Sequence, residues 1–159
     1  MRFTHRRPPR ALAATFVLLA VLFGSLLLSA VPAVASLRTR MLDMVNGRRE
    51  AHGLRPVHLS PGLSGEAQHH TAAMVRRDEL FHTGKLAGKV RRWHAHRWGE
   101  NVGCAGSVRG LMRAFMRSPE HRANLLNSGY RFIGIGVIGD RRSRLCGSST
   151  VWATQQFYG

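Results

Sequence analysis

The feature that most limits what this chain can fold into is an apolar run close to its start. Residues 11–30 are almost wholly apolar, and the ten residues before them carry four arginines and no acidic residue. Pro32 follows, and then Ala33-Val34-Ala35, a small-x-small triplet of the kind that signal peptidase cleaves. A basic region, an apolar region and such a triplet, in that order, indicate a secretory signal over residues 1–35. The folded domain is then expected over residues 36–159.

An uncleaved membrane anchor is the alternative interpretation of the same run. Its 20 residues could just cross a hydrocarbon layer of roughly 30 Å. Gly24, Ser25 and Ser29 make the far end of the run less apolar, and the cleavage triplet is well placed, so we favour cleavage. In either case we expect the domain to be secreted or extracytoplasmic, in the cell envelope, and membrane-anchored if the signal is not cleaved.

A large positive charge remains after the signal is set aside. Four of the 24 basic residues and none of the eight acidic ones lie before Ser36, so the domain carries a net charge of +12. Nucleic acid is one partner that such a charge can indicate, but an exported protein does not meet cytoplasmic DNA, and the basic residues are scattered. We therefore expect no nucleic acid as partner. Anionic envelope polymers, lipids or glycans are favoured instead, with a monomer as the expected state.

Helical periodicity is the main local signal in the domain. Apolar residues recur at helical spacing over residues 37–51 and over residues 107–116. Ser60-Pro61 and Ser118-Pro119 each combine a capping serine with a proline suited to the first turn of a helix. These patterns predict several helices of moderate length.

Strand patterns come mainly after the helices. Residues 132–138 alternate glycine with apolar residues, and residues 150–158 are rich in strand-forming residues. Residues 81–100 are rich in glycine, histidine and tryptophan and are interpreted as a long loop, which is often functional. Helices that precede strands, without alternating with them, predict an α+β domain with helices packed on a small antiparallel sheet.

The two cysteines, Cys104 and Cys146, both lie in the exported part. An even number of cysteines in an oxidising compartment predicts one disulfide bond. Their separation excludes a C-x-x-C redox pair and a zinc knuckle. Two buried free thiols are the alternative, but exposed thiols are a liability outside the cell, which favours the bond.

Six short segments, taken in order, resemble the CAP superfamily, which groups cysteine-rich secretory proteins, antigen five and plant pathogenesis-related-one proteins. The resemblance covers essentially all of residues 37–159 and is nearest to the bacterial branch, because residues 118–124 are of the form S-P-x-H-R-x-N. It implies an α-β-α sandwich. The segments are Val45-Asn46 with Arg49, Phe81-His82-Thr83-Gly84, Gly99-Glu100-Asn101-Val102, residues 118–126, Ile133-Gly134-Ile135-Gly136-Val137 and Trp152-Ala153-Thr154-Gln155-Gln156-Phe157.

The same resemblance implies a cleft lined by two histidines and two acidic residues. His82 matches the first family histidine, Glu100 the glutamate of the Gly-Glu-Asn motif, and His121 the second histidine. Ser118 falls where eukaryotic relatives carry the second glutamate. Glu120 adjoins His121, although the family pattern does not require it. These five residues are the candidate cleft residues of the chain.

The chemistry of this set allows two uses. Two neutral imidazoles and a carboxylate, here His82, His121 and Glu100, can hold Zn²⁺ and leave a position open for water, and imidazole nitrogen suits Zn²⁺ better than Ca²⁺. Without a metal, the same groups could act as a general acid and base. A structural explanation exists for each as well, since a loop histidine is commonly a hydrogen-bonded surface residue and Glu120 suits the first turn of a helix.

Two classes of function follow. The first is a secreted module that binds a lipid, a glycan or a divalent metal in the cleft, where Trp93 and Trp98 could line a groove or could anchor the core. The second is a metal-assisted hydrolase that acts on peptide or on cell-envelope polymer. The sequence contains neither a G-x-S-x-G elbow nor an H-E-x-x-H helix. With no identifiable nucleophile and no second glutamate, binding is favoured, and a structural envelope protein with a vestigial site is a third option.

Overall fold

The computed structural model describes residues 33–159, apart from the side chains of residues 33–35, 140 and 141. Residues 1–32, which carry nearly all of the predicted signal, lie outside the described part. Within that part, no helix is long and apolar enough to cross a membrane. The helices are α1 (Ala33–Glu50), α2 (Pro61–Arg77), α3 (Leu86–Val90), α4 (Val108–Arg117) and α5 (Pro119–Leu125), with a 3₁₀ turn at Arg91–Trp93. The strands are β1 (His58–Leu59), β2 (Trp98–Ala105), β3 (Phe132–Ser143) and β4 (Gly147–Tyr158).

Serine caps fix where two of the helices begin. The Ser60 hydroxyl accepts a hydrogen bond from the backbone N–H of Leu63, and the Ser107 hydroxyl accepts one from that of Gly110. Each bond satisfies a donor that the first helical turn leaves unpaired. Pro61 stands at the first helical position of α2, where its missing N–H costs nothing. The helices predicted from Ser60-Pro61 and from residues 107–116 are confirmed.

The sheet has four strands in the order β1-β3-β4-β2. The three long strands pair antiparallel, as predicted, with β4 in the middle of that group. The two-residue strand β1 pairs parallel with β3, so the sheet is mixed and not wholly antiparallel. Parallel strands need a long crossover connection, and the chain between β1 and β3 supplies one, because it contains helices α2 to α5 and strand β2. Strand β2 lies at one edge of the sheet.

Helices cover both faces of the sheet, which confirms the α-β-α sandwich. Phe157 and Tyr158 are successive residues of β4, and they belong to different hydrophobic clusters, because side chains alternate between faces along a strand. The Phe157 cluster takes in apolar residues of α1, α4 and α5. The Tyr158 cluster takes in Leu63 of α2 and two residues of α3.

Glycines in β3 let α2 lie close to the sheet. A Cβ atom on Gly134 would fall 2.5 Å from a backbone atom of Leu63, and one on Gly136 would fall 2.2 Å from a backbone atom of Ala67. Both distances are shorter than any side chain could tolerate. The alternation of glycine with apolar residues in this strand is therefore explained: the glycines face α2, and the apolar residues face the larger core.

The segment before β2 is more ordered than predicted. Residues 81–100 were expected to form a loop, yet they contain α3, the 3₁₀ turn and the first residues of β2. Leu86 and Val90, four residues apart on one side of α3, are buried against Leu63. Lys89 and Arg92 both pair with the Glu66 carboxylate on α2. Five helical residues are too few to show a clear period in sequence, so this helix depends on tertiary contacts.

The predicted disulfide is present. Cys104 on β2 is bonded to Cys146 in the turn between β3 and β4, with Cα atoms 6.1 Å apart. The bond joins the C-terminal end of the edge strand β2 to the turn that connects β3 with β4.

The α1 helix ends at Glu50, and Gly53 in the following turn adopts a positive φ of 67°, which glycine tolerates more readily than other residues.

Candidate functional site

Two adjacent residues of the edge strand β2 organise the site. Glu100 and Asn101 point to opposite faces of the strand, as the two-residue period requires. The Glu100 carboxylate contacts the segment that carries His82. The Asn101 side chain contacts α5, the helix that carries His121. Glu100 thus contacts the segment of His82 on one face of β2, and Asn101 contacts the helix of His121 on the other face.

The Glu100 carboxylate is buried and fully hydrogen-bonded. Its Oε1 accepts from His82 Nδ1 at 2.9 Å and from the backbone N–H of Thr83 at 2.7 Å. Its Oε2 accepts from Gln156 Nε2 at 2.9 Å. Burial raises the pKa of Glu100, but the hydrogen bonds from Thr83, Gln156 and His82 outweigh burial, and the net pKa lies below its ordinary value. The residue is therefore an ionised carboxylate at neutral pH.

The carboxylate fixes the orientation and the tautomer of His82. An ionised carboxylate only accepts hydrogen bonds, so the Nδ1 of His82 must carry the proton that it shares with Glu100. In the neutral ring, Nε2 is then the acceptor. The His82 side chain is 65% exposed, against 5% for that of Glu100. An anchored imidazole therefore presents its reactive nitrogen to solvent.

His121 is a half-buried residue on α5 that packs against the ring of Phe115, with ring centroids 4.9 Å apart. Burial lowers the pKa of His121, the charge of His82 lowers it further, and Glu120 opposes both effects. Because its pKa is depressed, His121 is a neutral imidazole at pH 7.

A network of asparagine side chains holds α5 against β2. Asn101 Nδ2 donates to the backbone carbonyl of His121 at 3.2 Å. Asn124 Nδ2 donates to the Glu100 carbonyl at 3.1 Å and to Asn101 Oδ1 at 3.0 Å. Gly99 is needed at the start of this network, because a Cβ atom there would fall 2.3 Å from the Asn124 side-chain oxygen. The spacing of His121 and Asn124 on α5 is thus explained by contacts to β2.

The two remaining candidates lie at the start of α5. Ser118 is the N-cap residue of α5, but its hydroxyl makes no capping hydrogen bond. Glu120 is an exposed residue in the first turn of the same helix. Among the described side chains, neither residue is hydrogen-bonded or ion-paired to Glu100 or His82, and Glu120 is linked to the other candidates through its effect on the pKa of His121.

Sequence reasoning did not single out two residues that support Glu100. Thr83 donates to it through its backbone, and Gln156 donates both to Glu100 and to the Thr83 hydroxyl. Gln156 is fully buried, and its Oε1 has no partner among the described residues. Gln156 is the cross-strand partner of Glu100, a relationship that depends on strand register. The signal available in the sequence was a glutamine at position 156, two residues before the end of the predicted last strand.

A neighbouring histidine has a purely structural role. His70 on α2 contacts the backbone carbonyl of Phe81 through Nε2 at 2.7 Å, and the two rings pack edge to face. This contact fixes the residue that precedes His82. His94 and His96, the other histidines that could have bound a metal, are exposed.

A ready-made metal shell is absent from the described part of the chain. No three His, Cys, Asp or Glu side chains there lie close enough together to hold one ion. The Glu100 oxygens are already occupied as acceptors of hydrogen bonds from His82, Thr83 and Gln156. The set does not fit a shell of three protein ligands. It does fit a histidine held from behind by a carboxylate, an arrangement that is common for metal-binding imidazoles.

Comparison with known proteins identifies the family. The sequence model described as CAP, the cysteine-rich secretory protein family, matches residues 42–157. The chain belongs to this family. A curated relative, the uncharacterized protein YkwD of Bacillus subtilis (strain 168), is 26% identical over 138 residues, which is 82% of this chain and 50% of the relative. The matched part of the chain therefore spans about half the length of this relative.

Solved structures share the fold. An extracellular protein containing an SCP domain from Bacillus anthracis str. Ames matches with a TM-score of 0.63 and 20% identity, over 79% of this chain and 41% of that one. A cysteine-rich secretory protein from Staphylococcus aureus matches with a TM-score of 0.61 and 24% identity, over 80% and 40%. An outer surface protein of Borrelia burgdorferi matches at 0.63 and 13%, over 76% and 90%. The α-β-α CAP architecture is thereby shown.

Proposed function

We propose that this CAP-domain protein is an extracytoplasmic binding module of the cell envelope, and that its ligand site is formed by His82, Glu100 and His121. The predicted signal over residues 1–35 supports export. The structural relatives from Bacillus anthracis, an extracellular protein, and Borrelia burgdorferi, an outer surface protein, agree with that location. Partners are expected among envelope glycans, lipids and anionic polymers, with no nucleic acid and with a monomer as the working state.

The observation that carries the proposal is the contact between His82 and Glu100. A buried, ionised carboxylate holds an exposed imidazole in one tautomer. The Glu100 oxygens are shielded, so the ligand would meet the Nε2 of His82, which accepts a hydrogen bond from a hydroxyl or an ammonium group. His121, neutral and half-buried, supplies a second imidazole. Ser118 and Glu120 are proposed to lie at the rim and to offer a hydroxyl and a carboxylate.

Divalent metal, Zn²⁺ before others, is part of the proposal as a ligand and not as a resident structural ion. His82 and His121 would hold it, with Glu100 behind His82. Two imidazoles with water completing the shell bind far more weakly than a closed four-ligand site. The binding of organic ligands does not depend on this metal.

A hydrolase is the second candidate, and one observation favours it. A histidine that donates through one nitrogen to a buried carboxylate, with its other nitrogen exposed, has the arrangement of a general base. Its Nε2 could take a proton from a water that attacks peptide or envelope polymer. A binding module is preferred because Glu100, the acidic residue in contact with His82, is ionised and fully engaged, so it cannot serve as the general acid that would protonate a leaving group.

The test compares binding and turnover in one set of variants. The protein recovered by export would be incubated with cell-envelope extract from the producing organism, as wild type and as His82→Ala, Glu100→Gln and His121→Ala. His69→Ala is the matched control, since His69 is an exposed histidine on α2. We expect the three site variants to retain about five-fold less envelope material than the control, and no variant to change the release of soluble fragments.

The outcomes separate the candidates. Fragment release that requires His82 and persists with chelator would replace the binding module by a metal-free hydrolase, and release that chelator abolishes would indicate a metal-assisted one. If all variants retain envelope material equally and none alters turnover, the His82 site has no role in either activity, and the proposal fails.

A further inference from the structure

The surface around Trp98 carries a second site. We propose that it binds an anionic polysaccharide, that is, a glycan bearing carboxylate or phosphate groups. Two adjoining depressions meet at Trp98 and His96, with volumes of about 520 Å³ and 280 Å³. Arg91 and His94 line the larger one, and Arg97 and Asn127 are among the residues that line the smaller one. This Trp98 surface goes beyond the proposed function and does not depend on it.

No acidic side chain in the described part of the chain is paired with the arginines of this surface. Residues 80–99 contain no acidic residue. The nearby cations Lys89 and Arg92 are both paired with Glu66. Among the described side chains, neither Arg91 nor Arg97 has a carboxylate within ion-pair distance, and no acidic residue lines either depression. Two guanidinium groups on one surface are therefore available for carboxylate or phosphate, which they can bind in a bidentate manner.

An exposed aromatic ring stands between the arginines. Trp98 is 46% exposed, the second largest exposure among the large apolar residues of the described part. It belongs to the edge strand β2, and it lies two residues before Glu100, on the same face of the strand. An indole offers a large, rigid apolar face that a sugar ring can cover. A polymer that stacks on Trp98 while its acidic groups meet Arg91 and Arg97 uses both features at once.

The backbone holds this surface in place. The N–H groups of His96 and Arg97 both donate to the carbonyl of Gly159 at 3.1 Å, and the N–H of Gly159 donates to the carbonyl of Arg97 at 3.1 Å. The Arg97 side chain packs over Gly129, where a Cβ atom would fall 2.6 Å from its guanidinium. A site that is ordered before binding pays less entropy on association.

A membrane surface is the competing partner for basic and aromatic residues. Interfacial binding needs several apolar side chains presented together, and the Trp98 surface has one. Phe132, another exposed ring, is outside the Trp98 surface, because it lies on β3 and Tyr158 of β4 separates it from Trp98. The remaining lining groups are basic or polar, apart from Ala95 and Tyr130, which are both buried. The surface therefore favours a soluble anionic polymer over a bilayer.

Titration of the exported protein with polygalacturonate tests the inference, with its fully methyl-esterified form as the uncharged counterpart. We expect wild type to bind the acid form at least about ten-fold more tightly than the ester, a difference of about 1.4 kcal/mol. Arg91→Gln/Arg97→Gln should lose most of that difference, and Trp98→Ala should weaken binding to both forms. Arg109→Gln/Arg117→Gln, which removes the same charge from exposed positions on α4, should change binding less than about two-fold.

Several results would overturn the inference. Equal losses in the two double variants would mean that only net charge matters. Binding of phosphatidylglycerol vesicles that depends on Trp98, with none of polygalacturonate, would assign the surface to membranes. Because Arg97 packs over Gly129, Arg91→Gln alone is included, and an unchanged affinity in that variant would also count against the site. His82→Ala separates the two proposals: unchanged polygalacturonate affinity in that variant leaves this surface standing even if the His82 site has no ligand.

Discussion

The Nδ1 atom of His82 lies 2.9 Å from the Oε1 atom of Glu100, across a contact in which the imidazole is exposed and the carboxylate is buried. This pair connects a segment next to α2 with the edge strand of the sheet, 18 residues further along the chain. Everything else at the site supports one partner or the other. Thr83 and Gln156 keep Glu100 ionised, and the asparagine network holds the helix of His121 beside the same strand.

Glu100→Gln should make the protein less sensitive to acid. The pKa of Glu100 is lower in the folded protein than its ordinary value of 4.5, so the unfolded chain takes up the proton first. The stabilisation is complete above about pH 4.5 and is lost as the pH falls through the folded pKa. The variant should be less stable at neutral pH by about 1–3 kcal/mol, and its free energy of unfolding should fall less steeply below pH 4.5. Urea denaturation between pH 3 and 7 measures both.

The control for that experiment is Glu50→Gln, at an exposed carboxylate of α1. The free energy of unfolding of this control should depend on pH in the same way as that of wild type between pH 3 and 7. A Glu100→Gln curve that merely runs parallel to wild type would mean that Glu100 is not an ionised, hydrogen-bonded carboxylate in the native state.

Asn101 and Asn124 should behave as a coupled pair. They share a hydrogen bond, and each also binds the backbone of the element that the other belongs to. Replacing either with alanine should destabilise the protein by about 1–3 kcal/mol. The double variant should cost less than the sum of the two, with a coupling free energy of about 0.5–3 kcal/mol. Additive effects in a double-mutant cycle would show that the network does not act as a unit.

The disulfide should contribute strongly to stability. Cys104 and Cys146 enclose a segment with a sequence separation of 42, for which the chain-entropy treatment gives about 3–4 kcal/mol. Cys104→Ser/Cys146→Ser should lower the free energy of unfolding by that amount. Mass spectrometry of unreduced exported protein should show the two hydrogens lost on oxidation. Recovery of two alkylatable thiols from exported protein would contradict the bond.

The signal should be removed after Ala35, so that the exported protein begins at Ser36. The basic start, the apolar run and the Ala33-Val34-Ala35 triplet all precede that bond. N-terminal sequencing of protein from the medium or the envelope measures this directly. A membrane-extracted product that still begins at Met1 would establish an anchor instead.

The sequence predicted the architecture of the domain better than it predicted the contacts that hold the site residues in place. The Ser60 cap, the helical spacing and the glycine alternation at Gly134 and Gly136 are local patterns that appear in the structure where they were expected, whereas Ser118 occupies the N-cap position of α5 without the expected capping bond. Helix α3 was missed because its stability comes from contacts of Leu86 and Val90 with α2, which no local pattern records. The role of Gln156 was missed for a similar reason. Its pairing with Glu100 depends on the register between β2 and β4.

The last prediction concerns Zn²⁺. His82 is oriented by Glu100, and the depressed pKa of His121 keeps that ring neutral to lower pH than an ordinary histidine, so both can act as ligands near pH 7. With two imidazoles and no three-donor cluster in the described part, calorimetric titration of chelator-treated protein should give a dissociation constant of about 10 μM or weaker. His82→Ala and His121→Ala should each abolish the binding heat, and Glu100→Gln should weaken binding by about ten-fold or more, because the carboxylate that orients His82 becomes neutral. Affinity should fall on acidification, because a protonated imidazole cannot hold the ion, and His121 should take up its proton only below the ordinary histidine pKa of 6.5. His94→Ala/His96→Ala is the control, since these exposed histidines form the other pair that could bind an ion. If that control loses the binding and the two site variants keep it, Zn²⁺ belongs to the Trp98 side of the molecule and not to the His82 site.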